Sequence, residues 1–121
     1  MKFILLIYHN EQRWKEIGEV ERQQIYGEYG KLREQLKTAG QYLDGSQLQL
    51  TTEANSIRIR DGKELVTDGP FAETHEQLGG YFLIDVNNVD DAIAVAKRIP
   101  SARMGAVEVR PLVERAAEAN A

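Results

Sequence analysis

An α+β fold is predicted for this chain by three observations: two apolar runs of strand length, two stretches with helical periodicity, and an Asp-Gly dipeptide set between alternating segments. Lys2–Tyr8 (KFILLIY) is the first apolar run, bounded by the polar His9-Asn10-Glu11-Gln12. Phe3, Leu5 and Ile7 point to one side of this strand and Ile4, Leu6 and Tyr8 to the other, so both of its faces ask for cover. Trp14 and Ile17 fall in a short turn that precedes a long helix over Glu19–Ala39. In that helix Ile25, Tyr29, Leu32 and Leu36 recur at spacings of four, three and four. Glu19 and Glu21 suit the positive start of its macrodipole, Lys37 suits the end, and Gly40 supplies a left-handed cap.

Gln41–Leu50 reads as a second strand, with Asp44-Gly45 as a bend or bulge and Leu48 and Leu50 alternating with glutamines. Ser56–Arg60 and Lys63–Thr67 flank Asp61-Gly62, the signature of a tight hairpin whose two central residues accept positive φ. Ile57 and Ile59 alternate there with Arg58 and Arg60, which predicts one buried face and one that is wet or lines a pocket. After the loop Asp68–Gln77, Leu78–Val86 forms a further strand that is apolar on both sides. Asn88 then caps a helix, with Asp91 three residues on, and Val89, Ala92, Ile93 and Ala96 as its stripe. Pro100 ends this helix, Ala106–Pro111 is the last strand, and Glu114–Ala121 is an alanine- and glutamate-rich tail, helical or frayed.

The order is two βαβ units with a hairpin inserted between them, a ferredoxin-like βαβ-hairpin-βαβ sandwich. Its boundaries are a single domain over residues 1–112 and a C-terminal tail over 113–121, as a length of 121 residues allows. Two helices cover one face of such a sheet, yet two strands are apolar on both faces. An uncovered face of that size is more than monomers usually expose, so a second copy is expected to cover it, two sheets packing into a barrel in a homodimer.

Composition excludes several function classes. Fifteen basic and nineteen acidic residues leave a net charge of −4, without the clustered basic surface that phosphate contacts need, so no nucleic-acid partner is expected. The absence of cysteine removes disulfides, thiolate nucleophiles and Cys-ligated metals. The longest apolar run is too short to span a bilayer and lacks the features of a signal peptide, so no membrane partner and a cytoplasmic location are expected. No P-loop, dinucleotide fingerprint or Ser-His-Asp set is present, and no cofactor is implied; Gly79-Gly80 lacks the spacing and the following helix of a phosphate loop.

Few residues carry chemistry. His9 lies just past the first strand, where sheet sites often open, although a surface histidine without a role is the plainer reading. His75 sits in a polar stretch that reads equally as one solvated turn, and Asp68, Glu73 and His75 make only a sparse metal constellation, so no metal is assigned. Thr67-Asp68-Gly69-Pro70-Phe71 is the most unusual local sequence. It reads either as a rigid turn delivering Phe71 to a core or as a loop whose carboxylates, Asp68, Glu73 and Glu76, furnish a general base. Arg58, Arg60, Arg103 and Arg110 suit carboxylate or phosphate ligands, or pair simply with Glu108 or Asp85.

The run Val66-Thr67-Asp68-Gly69-Pro70-Phe71-Ala72-Glu73-Thr74, with Glu76-Gln77-Leu78-Gly79-Gly80-Tyr81 and Ile84-Asp85-Val86, resembles the DGPF-type branch of the YCII-related family. The opening strand with Trp14 and the closing Ile99–Pro111 segment match it too, so the resemblance covers nearly the whole chain. It implies the dimeric α/β-barrel superfamily. Smaller members of that family resemble enzymes through a histidine and an aspartate facing a cleft. Here the long helix has no histidine and Ile99-Pro100 stands where they have Asp-Pro, so that dyad does not carry over.

The expectation is therefore a homodimer with a small-molecule cleft between sheet and helix. Tyr8, His9, Arg58, Asp68, Phe71, Glu73 and Tyr81 are expected to line it. If the protein is an enzyme, Asp68 or Glu73, or His9, accepts a proton from a small anionic substrate in a lyase- or isomerase-like reaction, and Tyr8, Arg58, Phe71 and Tyr81 bind that substrate. The alternative is a non-catalytic regulatory or partner-binding protein. The resemblance implies an alternative sigma factor as such a partner, since related chains are often encoded beside one. Oxidative chemistry without a cofactor is a third class that the sequence permits.

Overall fold

The computed structural model describes residues 1–115. It is an α+β protein with antiparallel sheets and three α-helices: β1 (Lys2–His9), α1 (Glu11–Glu16), α2 (Glu19–Thr38), β2 (Tyr42–Gln47), β3 (Asn55–Arg60), β4 (Lys63–Asp68), β5 (Gln77–Asp85), α3 (Val89–Ala96) and β6 (Ala106–Pro111). Four strands form one sheet in the order β2-β5-β1-β6, and β3 and β4 form a separate two-stranded sheet. This split βαβ arrangement is compatible with a ferredoxin-like fold. The tail expected from residue 113 onward falls mostly on residues 116–121, outside the described residues.

Alternation along β1 and β5 decides where the core lies. Phe3, Leu5 and Ile7 from β1, with Phe82 and Ile84 from β5, are buried beneath the helices. Helix α2 supplies Leu32 and Leu36 to this cluster, and Tyr29 and Tyr42 set their rings edge-on against Phe82 at 6.0 and 5.9 Å. The C-terminal end of α2 closes as a Schellman motif. The Gly40 amide donates to Lys37 O and the Gln41 amide to Leu36 O, with φ of 72° at Gly40. The opposite face of the sheet pairs Ile4 with Leu83 and Leu6 with Tyr81 across β1 and β5. No element among the described residues packs over it.

Several sequence expectations shift. Trp14 belongs to a capped helix, α1, rather than to a turn: Asn10 Oδ1 accepts from the Arg13 amide at 2.9 Å. Strand β2 stops at Gln47, and Leu48 and Leu50 lie in the segment leading to a 3₁₀ turn at Thr51–Glu53. The bulge expected at Asp44-Gly45 falls just before it, at Leu43, where the register shifts between Tyr42 and Asp44, and Asp44 and Gly45 themselves pair with Leu83 and Phe82. Asn88 caps α3 by accepting from the Asp91 amide, but the buried side chains are Ala92, Val95 and Ala96, while Val89 and Ile93 are exposed. Two small alanines let this short helix sit close to the sheet, and Val95 and the following Ile99 then reach the core. The helix is already closed before Pro100, which instead opens a 3₁₀ turn at Pro100–Arg103.

The hairpin forms as the Asp-Gly pair predicts, with φ of 52° at Asp61 and 75° at Gly62, as a type I′ turn needs. Its expected buried face is not found within the chain. Ile57, Ile59 and Val66 are 68, 61 and 66% exposed, since β3 and β4 pack closely only on each other.

Candidate functional site

Beneath α1 and α2 the helix face of the sheet does not close completely. A cavity of about 220 Å³ remains, walled by His9 from β1, Trp14 from α1, and Tyr26, Tyr29 and Arg33 from α2. Ser46 and Gln47 from β2, Gly79 and Phe82 from β5, Ile7 and Ser101 complete it. The wall from α2 is one helical face, since positions 26, 29 and 33 follow i, i+3, i+7 spacing. Aromatic contacts knit the rest. The His9 and Trp14 rings stand 5.7 Å apart, and Trp14 meets Tyr26 edge-on at 5.7 Å. Arg22 covers the outer side of Trp14, its Cζ 5.3 Å from the ring, and its Nη2 donates to Trp14 O, locking α1 onto α2.

Position 79 sets the depth of the cavity. A Cβ there would collide with the imidazole of His9, so glycine is what lets the ring lie across β5. Burial then pushes the His9 pKa below its ordinary 6.5, against opposing pulls from Glu11 and Glu76. The imidazole is therefore neutral near pH 7, with a nitrogen lone pair free to accept a proton. Deeper in, the hydroxyls of Tyr29 and Ser101 share a hydrogen bond of 2.7 Å, and burial raises the pKa of the Tyr29 hydroxyl.

Glu11 ties the rim together. Its carboxylate accepts from both the amide and the hydroxyl of Thr51, at 2.8 and 2.7 Å, while its own amide donates to Gln77 Oε1 at 3.0 Å.

Of the seven residues expected to line the cleft, only His9 does so. Tyr8 and Tyr81 point to the opposite face of the sheet, as alternation from His9 and from Phe82 requires. There Tyr81 donates to Asp44 Oδ2 at 3.0 Å, a bond that raises the tyrosine pKa. Phe71 is not a core residue. It is exposed and lies under the Arg58 guanidinium, 4.1 Å from Cζ to ring centre. Asp68 ends β4 and Glu73 sits in the loop beyond it, both exposed and neither lining the cavity. Tyr8 and Phe71 do share a broader, more open hollow beside the loop, with Leu50, Pro70 and Leu78. Arg103 and Arg110 pair with Glu28 and Glu108 at 2.9 and 3.1 Å. Among the described residues no three His, Asp or Glu side chains cluster as a metal site requires. No helix among them is long and apolar enough to cross a membrane.

The model of the YCII-related domain matches residues 1–116. The chain belongs to the YCII-related family. One relative is an uncharacterized protein of Rhizobium meliloti (strain 1021), 33% identical over 114 residues that cover 93% of this chain and 92% of that protein. In this YCII-related chain the cavity residues to which sequence reasoning gave no role include Tyr26, Arg33, Ser46, Gln47 and Ser101, and Gly79 was weighed only as part of a phosphate loop. A signal existed for the first two, because Tyr26 and Arg33 flank Tyr29, already placed on the helical stripe.

Proposed function

We propose that the chain binds a small molecule in the cavity between sheet and helices, and that His9 transfers a proton to and from it. The observation that carries this reading is the half-buried His9 ring, neutral near pH 7, with no hydrogen bond to its ring nitrogens from any described side chain and open to the cavity. Such an imidazole is poised as a general base. In the step proposed, a C–H bond next to a carbonyl breaks, its electron pair moves onto the carbonyl oxygen as an enolate, and the proton passes to the free nitrogen of His9. Where the substrate carries a β,γ-double bond, return of that proton to the γ-carbon re-forms the carbonyl and moves the double bond to the α,β position, which completes an isomerisation. Expulsion of a leaving group from the enolate completes an elimination. The acceptor role thus narrows from Asp68, Glu73 and His9 to His9 alone, since Asp68 and Glu73 lie outside the cavity.

Deuterium wash-in tests this. Phenylacetone and phenylpyruvate, each with an activated CH2 next to a carbonyl, serve as probes in D2O, followed by proton NMR. Exchange above the buffer rate is expected with at least one probe, falling about 100-fold or more in His9→Asn. Wild-type exchange no faster than that of His9→Asn with either probe overturns the reading.

The assembly belongs to the same proposal: two copies pack their open sheet faces into a dimeric α/β barrel. Ile4, Leu6, Tyr81 and Leu83 form an apolar centre on that face, flanked by the Arg110–Glu108 ion pair and the Tyr81–Asp44 bond, and a twofold partner buries it economically. Sedimentation at micromolar concentration is expected to give the mass of two chains. A single-chain mass overturns the assembly.

A further inference from the structure

We propose that the occupant of the sheet–helix cavity is a single-ring carboxylate, held by Arg33 as its anion anchor. The inference rests on the reading that this cavity binds a small molecule, and it adds which one.

Arg33 stands apart from other arginines of the body, of which Arg13 also has no ion pair among the described residues but is exposed and does not line this cavity. Arg22 pairs with Glu19, Arg103 with Glu28 and Arg110 with Glu108, and Arg98 donates to Gln35. Arg33 is half-buried in the cavity wall, yet none of the ion pairs among the described residues includes it. No aspartate or glutamate lines the cavity, so the protein leaves the guanidinium charge unbalanced at that wall. A guanidinium offers its donors as a planar fork, and a carboxylate matches that fork with two parallel hydrogen bonds.

The remaining wall selects shape. Trp14 and Tyr26 present ring surfaces to the space, which favour a flat partner. A cavity of about 150 Å³ accommodates benzene, so about 220 Å³ takes one ring and its carboxylate and no second ring. Negative charge at Arg33 and an aromatic ring laid against the Trp14–Tyr26 pair together define the class.

Trp14 is the sole tryptophan and stands in the cavity wall, so its fluorescence reports occupancy directly. Benzoate and benzyl alcohol, alike in ring and differing in charge, are the probes. Benzoate is expected to give a saturable change and to bind about tenfold or more tightly than benzyl alcohol. Arg33→Gln is expected to abolish that preference by weakening benzoate alone, and Arg33→Lys to restore part of it, since a lysine keeps the charge but not the fork. An unchanged thermal midpoint in both variants shows that the fold is intact. No saturable benzoate binding, or benzoate no tighter than benzyl alcohol, overturns the proposal, as does a preference that survives Arg33→Gln. Benzoate has no exchangeable CH next to a carbonyl, so its binding stands or falls independently of proton transfer. Benzoate bound without deuterium wash-in sinks the His9 chemistry and leaves the anchor. Wash-in into phenylacetone without benzoate binding does the reverse.

Discussion

The four-stranded body and the β3–β4 hairpin are written in the same alternating code and end in opposite environments. In the body Phe3, Leu5 and Ile84 are wholly buried, whereas on the hairpin Ile57, Ile59 and Val66 face solvent. Alternation therefore specifies which side chains share a face, and only a packed partner decides whether that face is dry. The same holds for chemistry. The loop after β4 is rich in carboxylates but open to water, while the body, through one cavity, encloses a single histidine and a single unpaired arginine. Enclosure is what shifts His9 and Tyr29, whereas on the open sheet face a single hydrogen bond to Asp44 shifts Tyr81.

The comparison is broken or sharpened by three measurements. Ile84→Ala removes a wholly buried side chain and is expected to cost about 2–5 kcal/mol in urea denaturation; a cost near zero would show that the body is no better packed than the hairpin. Burial acts on charge as well as volume, so acidification has a defined sign at His9. Its folded pKa lies below 6.5, so between those values the unfolded chain holds a proton that the folded chain does not. Stability then rises with pH through this window and is lost as pH falls. Urea midpoints at ~pH 5 and ~pH 7.5 are expected to differ more in wild type than in His9→Asn, and equal differences would place His9 in a solvent-like setting. The smallest effect is expected at Ile57→Ala, below about 1 kcal/mol at protein concentrations too low for association. A larger cost there would show that the hairpin face is covered.

The fold was largely legible in the sequence, and for local reasons. The two-faced β1, the α2 stripe, the Asp61-Gly62 turn and the Ala106–Pro111 strand are each specified by residues within a few positions of one another. What escaped depends on contacts distant along the chain. The docking side of α3 was half legible: Ala92 and Ala96 are buried as expected, but Val95 takes the place expected of Val89 and Ile93, a rotation that only the contact with the sheet decides. Of the candidate site, His9 alone was legible, as a polar residue at the end of an apolar strand. Arg33 carried no local mark: its distinction is the want of an acidic partner, a property of the folded neighbourhood. Asp68 and Glu73 drew notice by their motif, and the motif proves to shape an exposed loop around the Arg58–Phe71 stack.

Glu11 gives the molecule an order of assembly. Its amide reaches Gln77, 66 positions later, and its carboxylate reaches Thr51, 40 positions later, so neither bond forms until the middle of the chain has folded back. Helix α1 has six residues, too few to persist alone, and Trp14 rides on it. The β1–β5 ladder that brings Gln77 to this end of the sheet pairs residues still farther apart, Lys2 with Asp85, so the aromatic wall waits on the sheet that holds it. A probe at Trp14 therefore reports on the pocket and on the ladder beneath it together.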